Sequence, residues 1–246
     1  IKSGEIDIPE TVLSGLKQNN ALNLSFQAIE DSQKLVYFRS EITGNKERLR
    51  YHINPDSLVI NRKLWEVNEN NEALLIGDTL KFNDFVIQRN NQSIQVKHTF
   101  ENLTQDHVGI AFENFNVKEL LNYLNPDTEL VKGRLNGDLI VVDPFDKTGF
   151  LANLSMSDLE ILDTNFGVLK LDASSRSGDT YDVQATLKEG VADVDFSGEY
   201  TATSTYANLN MDLNVNSFQT EALNKLTLGE IRDGKGTFSG QFSIEG

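Results

Sequence analysis

The chain has 246 residues, of which 39% are hydrophobic, 9% aromatic and 24% charged, so it can bury a sizeable core and is too apolar for wholesale disorder. Its 22 Lys and Arg stand against 37 Asp and Glu. The net charge of −15 argues against nucleic acid and against anionic headgroups held by a basic patch, while acyl chains stay open as ligands. Without cysteine there is no disulfide, thiol nucleophile or thiolate metal site, and no apolar run approaches the roughly 18 residues of a transmembrane helix.

From the N-terminus onward the pattern is one of strands. The chain opens at Ile1 without a charged and then apolar leader and stops in mid-pattern at Gly246, so it reads as a segment of a longer protein. Apolar residues then alternate with polar ones at period two, the mark of half-buried strands. Leu22/Leu24/Phe26/Ala28, Ile94/Val96/His98/Phe100 and Val108/Ile110/Phe112 come first. Phe150/Ala152/Leu154/Met156, Tyr181/Val183/Ala185/Leu187 and Val194/Phe196/Gly198/Tyr200 follow. The clearest run is Ala207–Val215, where every odd residue is apolar and every even one is Asn or Asp. Turn clusters such as Arg89-Asn-Asn-Gln and Lys188-Glu-Gly separate them, and the spacing predicts roughly 15 short strands in an antiparallel all-β fold. Two stretches break the pattern. Val117, Leu120, Leu121 and Leu124 share one helical face and end before Pro126, and a weaker helix falls at Thr220–Leu226. Helices this short need an apolar surface to dock on.

These stretches mark an internal repeat. An ungapped alignment of 115–143 on 218–246, at an offset of 103, matches Phe115 with Phe218, Leu120 with Leu223 and Lys132 with Lys235. It also matches Gly133 with Gly236 and Gly137 with Gly240. The shared order is Phe, short helix, then a strand of form Gly-x-apolar-x-Gly-x-apolar. The predicted organisation is an N-terminal β segment (1–114), a helix-plus-β unit (115–217) and the start of a second unit (218–246). In both strands the glycines fall on the apolar face. Bare backbone there marks either a bend of the sheet or room for a docked helix or ligand.

Motifs for catalysis are missing. His52, His98 and His107 are far apart and lack metal-ligand spacing, and Gly236-Thr-Phe-Ser-Gly240 has the wrong order for a nucleophile elbow. Asp143/Asp146/Gly149 and Asp179/Asp182 do not match a calcium loop and read as turn residues capping their own backbone. Asp193 and Asp195 read as a solvated face, and Trp65 reads as core. A non-enzyme without cofactor or metal is expected.

Several segments together carry a resemblance. They are Leu64-Trp65-Glu-Val67, Leu80-x-Phe82-x-Asp84-Phe85-x-Ile87, Gln92-Ser93-Ile94-x-Val96, Phe115-x-x-x-x-Leu120, the Gly133/Gly137 strand, Gly149-x-Leu151 and Asp158-Leu-x-Ile161. In this order they resemble the β-rich region of the translocation and assembly module TamB proteins, relatives of the AsmA-like group, over roughly residues 58–246. The resemblance implies a long curved sheet, taco-shaped in section, with an apolar trough and no catalytic residues. It further implies a periplasmic location in a diderm envelope, an inner-membrane anchor outside this sequence, phospholipid acyl chains as cargo, and an Omp85-type outer-membrane barrel as partner. On that reading Leu135, Leu139, Val141, Leu154, Met156, Val183, Leu209, Met211, Leu213, Phe238 and Phe242 line the trough, and Gly133, Gly137, Gly236 and Gly240 bend the sheet. An extracellular or periplasmic β-sandwich for binding or adhesion is the alternative. It would close its apolar face completely.

Overall fold

The computed structural model describes residues 10–121, 130–146, 148–177, 179–203, 207–227 and 230–246. They form one long, curved antiparallel sheet of 18 strands that does not close into a barrel, with 70% of the chain in strands and 5% helical. The first strands are β1 (Glu10–Gln18), β2 (Ala21–Glu30), β3 (Gln33–Gly44) and β4 (Arg48–Ile53). After a 3-10 turn at Pro55–Ser57 come β5 (Leu58–Ile60), β6 (Lys63–Val67), β7 (Glu72–Ile76), β8 (Thr79–Asn83), β9 (Val86–Arg89) and β10 (Gln92–Lys97). The rest are longer: β11 (His107–Asn116), β12 (Val131–Val142), β13 (Gly149–Ile161), β14 (Thr164–Ser177), β15 (Thr180–Lys188), β16 (Ala192–Ala202), β17 (Ala207–Gln219) and β18 (Thr237–Glu245). Helix α1 (Lys118–Leu121) stands between β11 and β12, and α2 (Glu221–Leu226) between β17 and β18. The predicted helix at 117–124 is thus present in part, and residues 122–129 lie outside the described residues.

The strands outnumber the roughly 15 expected because the region before β11 is cut into short pieces. β3 is the branch point: its second half pairs with β4, and Val36 and Tyr37 in its first half pair with β5. One branch continues through β7 to β8, and the other through β6 and β9 to β10 and on across the sheet. Two-residue turns with both residues at positive φ, such as Asn61-Arg62 (51° and 58°) and Leu162-Asp163 (50° and 55°), make the reversals. That geometry matches the twist of the flanking strands. β10 ends at Lys97, short of the alternation that ran on to Phe100. Beyond it His98 Nδ1 accepts the Phe82 N–H at 2.9 Å, and the Phe100 ring sits where a side chain on Gly109 would otherwise be.

Buried residues gather in two places. Ile53, Leu58, Trp65, Val67, Phe85 and Phe115 form one core, to which Phe112 and Leu135 add half-buried surface. The Trp65 and Phe115 rings lie 6.0 Å apart and join the branched region to the long strands. Leu159, Phe166 and Ala192 form the second core, under Phe218 and Leu226. Helix α1 is tied down by a residue the sequence did not single out. Glu119, 1% exposed, accepts hydrogen bonds from Asn61 Nδ2 at 3.0 Å and Lys63 Nζ at 2.5 Å.

The offset of 103 recurs in the backbone. The β11–β12 ladder shifts register between Phe112 and Phe115, and the β17–β18 ladder shifts between Val215 and Phe218. Phe112 pairs with Gly137 as Val215 pairs with Gly240, and Phe115 pairs with Leu135 as Phe218 pairs with Phe238. The Val117 N–H donates to Gly133 O at 3.1 Å, and the Thr220 N–H donates to Gly236 O at 3.0 Å. The glycine surroundings differ, because β12 has a further neighbour in β13. A side chain on Gly133 would meet Met156, whereas one on Gly236 would meet nothing within 4 Å.

Candidate functional site

Residues directly opposed in neighbouring strands share a face of the sheet, so the registers can be read as rows running across it. One row passes from Ile87 on β9 through Ile94, Phe112, Gly137, Leu154, Leu171, Ala185, Phe196 and Leu213 to Phe242 on β18. Counted from the strand ends next to the helices, that row is the second; the first runs beside it through Phe115, Leu135, Met156, Leu169, Leu187, Val194, Val215 and Gly240. On its other side the third runs through Val96, Ile110, Leu139, Ala152, Ala173, Val183, Gly198, Met211 and Ile244. A fourth row holds Val108, Val141, Phe150, Tyr181, Tyr200 and Leu209. At about 4.8 Å per strand, ten strands carry this face across about 43 Å without a charged side chain.

All eleven residues singled out from the sequence stand on this one face. Leu135 and Met156 are in the first row, Leu154, Leu213 and Phe242 in the second, Leu139, Val183 and Met211 in the third, and Val141 and Leu209 in the fourth. Phe238 lies beyond the first row, opposite Phe218, with its ring 6.0 Å from that of Phe242. Most of these positions are half-buried, while Leu139, Phe242 and Ile244 are 39%, 46% and 58% exposed. Of Gly133, Gly137, Gly236 and Gly240, Gly137 needs its residue type most clearly. At φ +114° a Cβ would lie 2.0 Å from the Asn153 carbonyl oxygen. The sequence pattern supplied the period, but it could not show that Tyr181, Tyr200, Phe196 and Leu171 join the same rows. Only the registers do that.

The strand ends are unlike. At one margin the connections carry α1 and α2, and Phe115, Val117, Leu159, Phe166, Ala192, Val215 and Ala222 are all buried. All but one of the register shifts from β11 onward fall at this end, where extra residues bend the strands. At the other margin the connections carry no helix among the described residues, and Phe145 is 52% exposed.

The opposite face is mostly polar, with Ile140 and Leu151 as an apolar patch under the β10–β11 connection. Asp138, Asn153, Asp172 and Gln184 line a cavity of about 480 Å³ beneath Glu101, Asn102 and Leu103, and Asp195, Ser197, Asp212, Asn214 and Ser243 line one of about 410 Å³. Its charges are answered locally. The Asn216 amide and the Lys188 ammonium hold the Asp195 carboxyl below its ordinary pKa, and Asn216 Nδ2 also donates to Asp193 at 2.8 Å. Hydrogen bonds from Lys132 lower Asp163, and Asp182 raises Arg176. In the branched region, hydrogen bonds from Asn83 and then Arg50 lower Glu72. The histidines serve separate backbone contacts. His52 Nδ1 donates to Asn71 O at 2.7 Å, and His107 Nε2 accepts the Phe100 N–H at 2.9 Å. Among the described residues no three His, Asp or Glu side chains gather as a metal site, and no helix is long and apolar enough to cross a membrane.

Comparison with known proteins adds no relative: no family model, no curated protein and no solved structure matches the chain.

Proposed function

We propose that this chain is a non-enzymatic segment of a periplasm-spanning bridge, carrying phospholipid acyl chains along its apolar face toward the outer membrane. The observation that carries the reading is the charge-free face itself, continuous across ten strands and without a second sheet packed over β14–β18 among the described residues. Such a face suits a long apolar guest. Each CH₂ kept from water is worth about 0.8 kcal/mol, so an acyl chain gains most by staying on a continuous apolar path. No residue has to recognise it specifically. The polar outer face keeps the same sheet compatible with an aqueous compartment. The resemblance to the TamB proteins points the same way and supplies the remaining context: an inner-membrane anchor beyond this sequence, an Omp85-type barrel as partner, and a shared part in outer-membrane protein assembly.

Lipid extraction and mass spectrometry on the purified chain test the reading. Co-purified phospholipid is expected, and it should decline when Leu154, Leu213 and Phe242 in the second row are replaced together by Asp. A chain that purifies without lipid and binds no acyl-chain probe would overturn it.

A further inference from the structure

Resting on the groove reading, the unlike margins assign an orientation and a headgroup class to the guest. We infer that an amphiphile on this face lies with its chain toward the helix margin and its headgroup at the turn margin, and that the headgroup is zwitterionic or cationic rather than anionic. From β11 to β16 the helix margin is closed by buried side chains. Phe115 is 1% and Ala192 2% exposed, and Lys225 Nζ on α2 donates to Asp163 O at 2.9 Å, holding the helix against the β13–β14 turn. A polar headgroup placed there would lose water without gaining a partner.

The turn margin is the opposite. Its row ends in a stack of rings, with Phe150 and Tyr181 5.2 Å apart at 23° and Tyr181 and Tyr200 6.1 Å apart at 22°. Tyrosine joins an apolar body to a polar tip, and so suits the boundary between acyl chain and headgroup.

Charge completes the argument. Asp143, Asp146 and Asp179 stand in the connections of this margin, with Asp182 and Glu199 close by on the strands. Among the described residues from β11 to β18, Arg176 is the one cation at this margin, and it is taken up by Asp182 at 2.5 Å and Glu199 at 2.8 Å. Lys118, Lys132, Lys188 and Lys225 are all at the helix margin. Counting Lys147, which the sequence places in the same connection as Asp146, the five acidic residues named stand against two basic ones, so the field at the open margin is negative, which repels an anionic headgroup and attracts an ammonium.

The test uses two single-chain probes of equal length below their micellar concentrations, lysophosphatidylethanolamine and lysophosphatidylglycerol, titrated calorimetrically into the purified chain. At low salt the ethanolamine probe should bind about threefold to tenfold more tightly, and high salt should close the gap. Because the net charge of −15 would disfavour any anion, two exposed sites are compared. Asp179→Lys at the turn margin should lower the preference about twofold to threefold, whereas Glu230→Lys at the helix margin should leave it unchanged. Equal affinities, a preference for the glycerol probe, or equal effects of the two substitutions would overturn the inference while leaving the groove reading intact. Failure of both probes to bind would remove the groove reading and the inference with it.

Discussion

The branched region and the long-strand region share one apolar face yet treat it differently. Between β3 and β10, strands of three to six residues fork and turn back, and Ile53, Leu58, Trp65, Val67 and Phe85 converge into a closed core. From β11 onward, strands of nine to fourteen residues follow one another in order, and their apolar face stays half-buried. The residue types are alike. The difference teaches that topology decides whether an alternating strand makes core or surface. Short strands that branch can fold back on themselves, whereas a simple up-and-down succession of long strands has, among the described residues, only α1 and α2 to fold over it, at one margin.

The sharpest way to break this comparison is to place the same charge in both regions. Val67 is 6% exposed, so Val67→Arg buries an unpaired cation and should unfold the chain, a loss of several kcal/mol. Met211→Arg in the open third row should cost no more than about 1 kcal/mol, because the long side chain reaches water at the nearby turn margin. Urea denaturation of both variants decides it, and a Met211→Arg protein as unstable as Val67→Arg would mean that the long-strand face is closed after all. If the proposed function holds, the same Met211→Arg change should also lower the phospholipid that co-purifies with the chain, read by lipid extraction and mass spectrometry.

Next in size is the contact that binds the regions together. Glu119→Ala leaves Lys63 and Asn61 without their acceptor beneath α1 and should cost about 3 kcal/mol. A shift in the urea midpoint at unchanged slope would show it. Glu119→Gln, which keeps an oxygen for Asn61, should cost less.

Within the repeat, equivalent glycines should respond unequally. Gly137→Ala forces a side chain into φ +114° and against the Asn153 carbonyl, a cost of about 1–3 kcal/mol. At Gly240 the nearest atoms are the Phe242 ring at 3.3 Å, so Gly240→Ala should stay within about 0.5 kcal/mol. Thermal melts of the two single variants make the comparison.

The smallest effect concerns two depressed carboxyls, one in each region. Glu72 is lowered by Asn83 and Arg50, and Asp195 by Asn216 and Lys188. A carboxyl whose folded pKa lies below its unfolded value adds stability above the unfolded value, and that stability is lost as pH falls through the folded one. Asn83→Ala and Asn216→Ala should each move the titration of their partner upward, read by carbon-13 shifts of the carboxyls. An unmoved titration would assign the shift to the cation instead.

What the sequence determined by itself is whatever is local. Period-two alternation is a property of single strands, so the all-β class, the sites of both helices and the common face of Leu209, Met211 and Leu213 were legible without coordinates. The offset of 103 was legible in Phe115 and Gly137, whose ladder partners recur at Phe218 and Gly240, while Gly133 and Gly236 lie in unlike surroundings. Only the tertiary structure decided which strand lies beside which, and therefore that Leu154, Phe196 and Phe242 stand in one row. It alone brought Tyr181 to Phe150 and Tyr200, put Glu119 beside Lys63, and stopped β10 at Lys97. The physical reason is that alternation fixes a face but not a neighbour. Pairing is set by turns, bulges and branch points, whose outcome depends on residues distant in the chain.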